Sequence, residues 1–179
     1  MLRSGRNARK LHTYNTIAGL AGLADIILNK IRAWLATEGV LFREVRHEPT
    51  TTSEDSARAR GEELRVGGKA LLLRVDDVYR LFVLSADRKL DSAAIKRYFQ
   101  ARKTRFATPE ELAGLTGLIP GSVPPFGAPV LPFPLYVDPS VFANERIAFN
   151  AGSLTDSMVI AVSDYRRVAG AEVFAFAVV

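Results

Sequence analysis

Gly121-Ser122-Val123-Pro124-Pro125-Phe126-Gly127 lies inside a longer run, Leu118 to Pro134, that also carries Pro120, Pro129, Pro132 and Pro134. Proline fixes φ and removes a backbone donor, and glycine opens φ above zero, so neither a helix interior nor a central strand can be built from this stretch. The run must be a shaped loop. Its stiffness and apolar content suit the wall of a pocket better than a flexible linker, with Phe126 as the apolar tip.

Upstream of the loop, Gly67-Gly68-Lys69-Ala70-Leu71-Leu72-Leu73-Arg74-Val75 and Val78 to Leu84 read as two strands of a hairpin turned at Asp76-Asp77. The unbroken leucines predict burial on both faces, hence a central strand. Two glycines ahead of Lys69 let another backbone or a ligand come close, and the lysine can hold its ammonium at the mouth of the sheet. The alternative is a lysine that reaches solvent from a strand end. Earlier, Asp25 to Gly39 has apolar Ile26, Ile27, Ile31, Trp34 and Leu35 at helical spacing and a glycine stop. Val40 to Arg46 reads as a strand that ends at His47-Glu48-Pro49. Thr52 and Asp55 start a short helix through Ala57 and Ala59 to Gly61, with Arg58 and Arg60 toward solvent or a nucleic acid.

Between hairpin and loop, Asp91 caps a helix from Ser92 to about Ala101, with Ile95, Tyr98 and Phe99 inward. Lys96, Arg97, Arg102, Lys103 and Arg105 make this the densest cationic cluster, fit to track phosphates or simply to face water. Thr108-Pro109-Glu110-Glu111 is a second capped start, closing near Gly114 or Gly117. Downstream come β-like runs at Leu135-Tyr136-Val137, Arg146 to Phe149, Met158 to Val162 and Val173 to Val178, with Ala151-Gly152-Ser153 as a turn and Ser163-Asp164 capping one helical turn. Helices and adjacent strands mixed in this way predict an α+β fold with a mixed, largely antiparallel sheet flanked by helices.

The 179 residues, 48% of them apolar, suffice for one core, and a basic extension over 1–24 precedes an expected single domain over 25–179. That extension, an Arg-rich start with no acid before Asp25, reads as a transit peptide, a basic arm or an over-long reading frame. Absence of cysteine excludes disulfide scaffolds, thiolate metal sites and cysteine nucleophiles, and with only His12 and His47 no histidine-built metal site is expected. No metal or organic cofactor is suggested, and no run approaches the roughly 18 apolar residues of a membrane span. The net charge of +5 is uneven: residues 1–106 hold 21 Lys/Arg against 12 Asp/Glu, whereas 107–179 hold 3 against 7. A polyanion approaching one side would suit this asymmetry.

Taken in order, His47-Glu48-Pro49, Lys69 at a strand start, the Gly121 to Pro125 loop and the late Gly152-Ser153 turn resemble the YbaK/prolyl-tRNA synthetase editing domain family, the aminoacyl-tRNA deacylases. The resemblance spans roughly residues 27 to 179 and implies the editing-domain fold, a trans-acting deacylase clearing a small amino acid from mischarged tRNA, and a cytoplasmic protein. It implies aminoacyl-tRNA as partner and an aminoacyl-tRNA synthetase as a further one. On this reading Lys69 places charge at the substrate carbonyl or terminal phosphate. Backbone N–H groups of Gly121, Ser122 and Val123 serve the developing oxyanion, oriented by the proline frame at Pro125. Gly152 and Ser153 line the amino-acid pocket, Phe126 and Gly127 help to wall it, and His47 sits near its entrance. Phosphates of the tRNA backbone would meet Lys96, Arg97, Arg102, Lys103 and Arg105.

Two alternatives stay open on the sequence. One is a non-catalytic tRNA- or synthetase-binding module with the same fold. The other is a nucleic-acid binder resting on the basic half alone, although no aromatic stacking platform stands beside the cationic cluster.

Overall fold

The computed structural model describes residue 22 and residues 25–179; the basic extension expected over 1–24 otherwise lies outside the described residues. Helix α1 spans residues 25–37 and ends where Gly39 adopts φ 67°. Its inward stripe is Ile27, Leu28, Ile31 and Leu35, whereas Ile26, expected in that stripe, is exposed. Strand β1 (Phe42–Arg46) follows, then α2 (Ser53–Arg60), whose N-cap Thr52 accepts from the Asp55 N–H and whose C-cap Gly61 is left-handed. A 3-10 turn at Leu64–Val66 leads into the hairpin of β2 (Gly68–Val75) and β3 (Val78–Ser85), turned at Asp76 with φ 50°.

Next come β4 (Lys89–Leu90), α3 (Ser92–Phe99), β5 (Thr104–Phe106) and α4 (Pro109–Thr116), the last opened by a complete Thr108/Glu111 capping box. After the proline-rich loop the chain forms β6 (Leu135–Val137), α5 (Pro139–Phe142), β7 (Arg146–Asn150), β8 (Asp156–Ala161), α6 (Val162–Val168), β9 (Glu172–Val173) and β10 (Ala177–Val178). The strands form a five-stranded sheet β5-β2-β3-β6-β9, a three-stranded sheet β1-β8-β7 and the pair β10-β4. Only β3-β6 and β6-β9 run parallel among these pairings. The architecture is thus α+β and largely antiparallel.

Alternation along β2 and β3 divides the interior into two cores. Leu72, Leu81, Val83 and Val137 pack toward α1 and the loop, while Leu73, Val75, Phe82 and Leu84 pack toward Ile95 of α3 and Phe176. Tyr98, expected inward on α3, is instead 43% exposed, with its ring stacked on Phe174. The expected strand Val173 to Val178 is broken in two because Phe176 spends its backbone elsewhere: its N–H goes to Asp138 Oδ2 at 2.7 Å and its carbonyl accepts from Asp91 N–H at 2.8 Å. Likewise α6 starts at N-cap Ala161 without a side-chain cap, and Asp164 pairs with Arg167 instead.

The two larger sheets meet at Gly67-Gly68. Gly67 bridges Ala148 of β7, and a Cβ on Gly68 would lie 2.6 Å from Ile147 Cδ1. This close approach of a second strand, with almost no room for any side chain, is what the paired glycines provide just ahead of Lys69.

Candidate active site

At that junction is a cavity of about 230 Å³. The mouth of α2 supplies Thr50, Thr51, Thr52, Ser53, Ser56 and Arg60; the start of β2 supplies Gly67 to Leu71; Ala86, Gly121, Val123 and Asn150 complete the wall. Among the described residues no carboxylate lines it. The lining is therefore rich in hydrogen-bond donors and carries two cations, Arg60 and Lys69.

Arg60 is buried at 8% exposure, a correction to its expected place on a solvent-facing or nucleic-acid-facing helix surface. It shares an inward stripe of α2 with Ser56 and Ala57, one helical turn away. Its Nε donates to Ser157 Oγ at 2.9 Å and its Nη2 to Asn150 Oδ1 at 2.6 Å. Neutral partners satisfy the fork without neutralising it. Burial pushes the guanidinium down to about 10, partly opposed by Glu62, so it is charged at neutral pH. Lys69 stands at the start of β2 with Nζ donating to the Arg88 carbonyl at 2.6 Å. Burial holds its ammonium below the ordinary lysine value, against the pull of Glu54 and Asp87.

The same network fixes the organising loop. Asn150 Nδ2 donates to the Gly121 carbonyl at 2.7 Å, and Gly152 N–H donates to the Ser122 carbonyl at 3.0 Å. Gly121 has φ 88°, and neither Gly121 nor Val123 donates its N–H to another described residue. Both line the cavity. Ser122 does not serve as expected: its N–H is already given to the Ile119 carbonyl at 3.1 Å, and its buried hydroxyl bonds back to the same residue.

Of the other expected site residues, His47 joins the network from behind. Its Nε2 is 2.8 Å from Ser157 Oγ and its Nδ1 donates to the Glu48 carbonyl at 2.8 Å, so it positions partners of Arg60 and does not line the cavity. Gly152 and Ser153 also lie outside the lining. Gly152 holds the loop, and Ser153 ties the β7-β8 turn through Asp156 at 2.6 Å. Phe126 is no exposed tip; at 1% exposure it packs edge-on to Trp34 and Phe149, centroids 5.0 and 5.1 Å away. Pro125 presents its carbonyl to Tyr165 Oη at 2.7 Å, and Gly127 is required by the Phe133 carbonyl, which would lie 2.7 Å from a Cβ there. These loop residues anchor the wall and are not its surface.

The cationic cluster is elsewhere. Lys96, Arg102, Lys103 and Arg105 gather with Arg74 at the far end of β2 from Lys69, and Arg97 lies one face away, beside Asp91. An aromatic surface does adjoin it, contrary to expectation: Tyr98 and Phe174 stack at 3.8 Å next to Arg97. Among the described residues no group of three or more His, Cys, Asp or Glu could hold a metal, and no helix is long and apolar enough to cross a membrane.

Residues 47–168 match the aminoacyl-tRNA editing domain family. The multifunctional Ser/Thr-tRNA deacylase ProXp-y of Escherichia coli K12 is 35% identical over 153 residues, covering 82% of this chain and 90% of that protein. A proline--tRNA ligase of Shouchella clausii is 33% identical over 140 residues, 73% of this chain but only 24% of the ligase. Among solved structures, a candidate trans-editing enzyme for prolyl tRNA synthetase superposes with TM-score 0.72 at 26% identity, covering 84% of this chain and 96% of that one. The matched segment runs from His47 behind the cavity to the end of α6 and so contains every residue that lines it, which makes the chain a member of the aminoacyl-tRNA editing domain family.

Proposed function

We propose that this cavity hydrolyses the ester linking serine or threonine to the 3′ end of a mischarged tRNA. The reaction class follows from the family: the protein is an aminoacyl-tRNA deacylase. The observation that carries the assignment to this cavity is its charge pattern, two cations and two lining residues, Gly121 and Val123, whose N–H groups have no described acceptor, with no lining carboxylate among the described residues. Such a lining favours a group that gains negative charge, as the ester carbonyl does when water adds to it. In the balanced reaction water adds to the carbonyl carbon, the bond to the ribose oxygen breaks, and the remaining proton ends on that oxygen.

In this reading the N–H groups of Gly121 and Val123 and the Arg60 guanidinium face the oxyanion, while Lys69 holds the carbonyl or the terminal phosphate. Rigid mounting of these donors avoids reorganisation when charge develops. The restriction to a small, hydroxylated amino acid rests on the cavity's size and on Thr50 and Ser56, buried hydroxyls 2.8 Å apart in its wall. Between them they can both donate to and accept from a substrate hydroxyl. The Ser/Thr specificity of the E. coli relative supports the choice. Acting in trans, the domain would occupy residues 25–179 and work in the cytoplasm beside a synthetase, a partnership that the likeness to a proline--tRNA ligase segment supports.

The test is deacylation of tRNAs charged with serine, threonine, alanine and proline. Serine and threonine are expected to be released fastest, and Thr50→Val to reduce the serine-over-alanine preference by about tenfold, the scale of one hydrogen bond near 1.4 kcal/mol. An unchanged preference in Thr50→Val would remove the hydroxyl pair from specificity.

A further inference from the structure

At the opposite end of β2 lies a second concavity, of about 570 Å³, walled by Arg74, Lys96, Arg102, Lys103, Thr104 and Arg105 together with Asp76 and Asp77. We propose that this groove binds backbone phosphates of the tRNA whose 3′ end enters the cavity; the inference rests on the deacylase reading above.

Three observations carry it. First, the groove's backbone is fixed while its cations are not. Asp76, in a left-handed conformation, accepts the N–H groups of Arg102 and Lys103 at 3.0 and 2.9 Å and returns its own N–H to the Lys103 carbonyl at 2.9 Å. The exposed side chains of Lys96, Arg102 and Lys103 have no carboxylate partner among the described residues, whereas Arg105 is held bidentately by Glu111 at 2.7 Å. Second, two buried polar atoms lack a hydrogen-bond partner among the described residues, Nε of Arg74 and Oγ1 of Thr104, and both belong to this wall. Both can donate, and a phosphate offers only acceptors. Third, the groove and the cavity draw on the same strand, β2. Lys69 and Arg74 are five residues apart on β2, which at about 3.3 Å per residue is about 17 Å. At about 3.4 Å per nucleotide that is the length of about five nucleotides, within reach of a tRNA whose 3′ adenosine occupies the cavity, although the odd spacing puts the two side chains on opposite faces of the sheet. The residues that contribute differ from the cluster expected on sequence: Thr104 joins, as does Arg74 through its Nε while its Nη2 is held by Asp77 at 2.8 Å, and Arg105 is already committed to Glu111.

The test compares the intact protein with Lys96→Ala/Arg102→Ala/Lys103→Ala. Binding of uncharged serine-accepting tRNA is followed between roughly 50 and 200 mM salt, where each phosphate contact contributes about 0.9 to the slope of log Kd against log salt. The triple variant is expected to lose about 2 to 3 from that slope. In parallel, the ratio of kcat/KM for seryl-tRNA to that for 3′-seryladenosine, too short to reach the groove, is expected to fall by about tenfold or more. An unchanged slope, or an equal loss on both substrates, overturns the groove. If the intact protein hydrolyses neither substrate, the deacylase reading fails, and the salt slope still decides whether the groove holds tRNA.

Discussion

Arg60→Ala is expected to lower kcat/KM for seryl-tRNA by about a hundredfold, or about 2.7 kcal/mol of transition-state stabilisation. The residue is buried in the cavity wall with its fork on Ser157 and Asn150, so truncation removes a cation from the reacting region and takes a charged donor from both partners. Asn150 also holds the Gly121 carbonyl, so the loop donors lose their mounting as well. Thermal unfolding separates the two effects. Hydrogen bonds to a charged group contribute about 1.5 to 3 kcal/mol to stability, so the melting temperature should also fall, and rates are compared well below it. Arg60→Lys keeps charge without the fork; recovery of stability there without recovery of rate would assign the guanidinium geometry to the chemistry.

Lys69→Ala is expected to reduce deacylation by at least about tenfold, about 1.4 kcal/mol, with a smaller effect on folding. The only described hydrogen bond of its side chain is to the Arg88 carbonyl, and that side chain is part-buried at the mouth. Because burial lowers its pKa, the lysine-dependent rate should decline with rising pH earlier than a free lysine would titrate, and Lys69→Ala should lose that limb. Full activity in the variant would take Lys69 out of the mechanism.

Where local chemistry dictates structure, the sequence was sufficient. The β2-β3 hairpin, the Thr52 and Thr108 helix starts and the stops at Gly39 and Gly61 all follow from turn and capping rules that act over a few residues, and of the two glycines that could end α4 the chain uses Gly117. Lys69 was legible for the same reason, since paired glycines before a buried strand mark a close approach. Arg60 was not, because its partners Ser157 and Asn150 lie some ninety residues downstream; the available signal was its position four after Ser56, on the inward stripe of α2. Phe126 shows the converse error. A proline-rich loop need not carry its hydrophobe outward, and this one drives it between Trp34, Phe149 and Tyr165, leaving Gly121 and Val123 to line the cavity. The tail from Glu172 was misjudged because Phe176 is claimed by Asp138, a side chain that also caps α5 at Ser140 N–H.

The most direct test of the account is the structure of the protein with a non-hydrolysable analogue, 3′-deoxyadenosine carrying serine through a 3′-amide. The prediction is that the amide carbonyl oxygen sits within hydrogen-bond reach of the Arg60 guanidinium or the N–H of Gly121 or Val123, with the seryl hydroxyl on Thr50 or Ser56. An analogue bound with its aminoacyl group outside this cavity would contradict it.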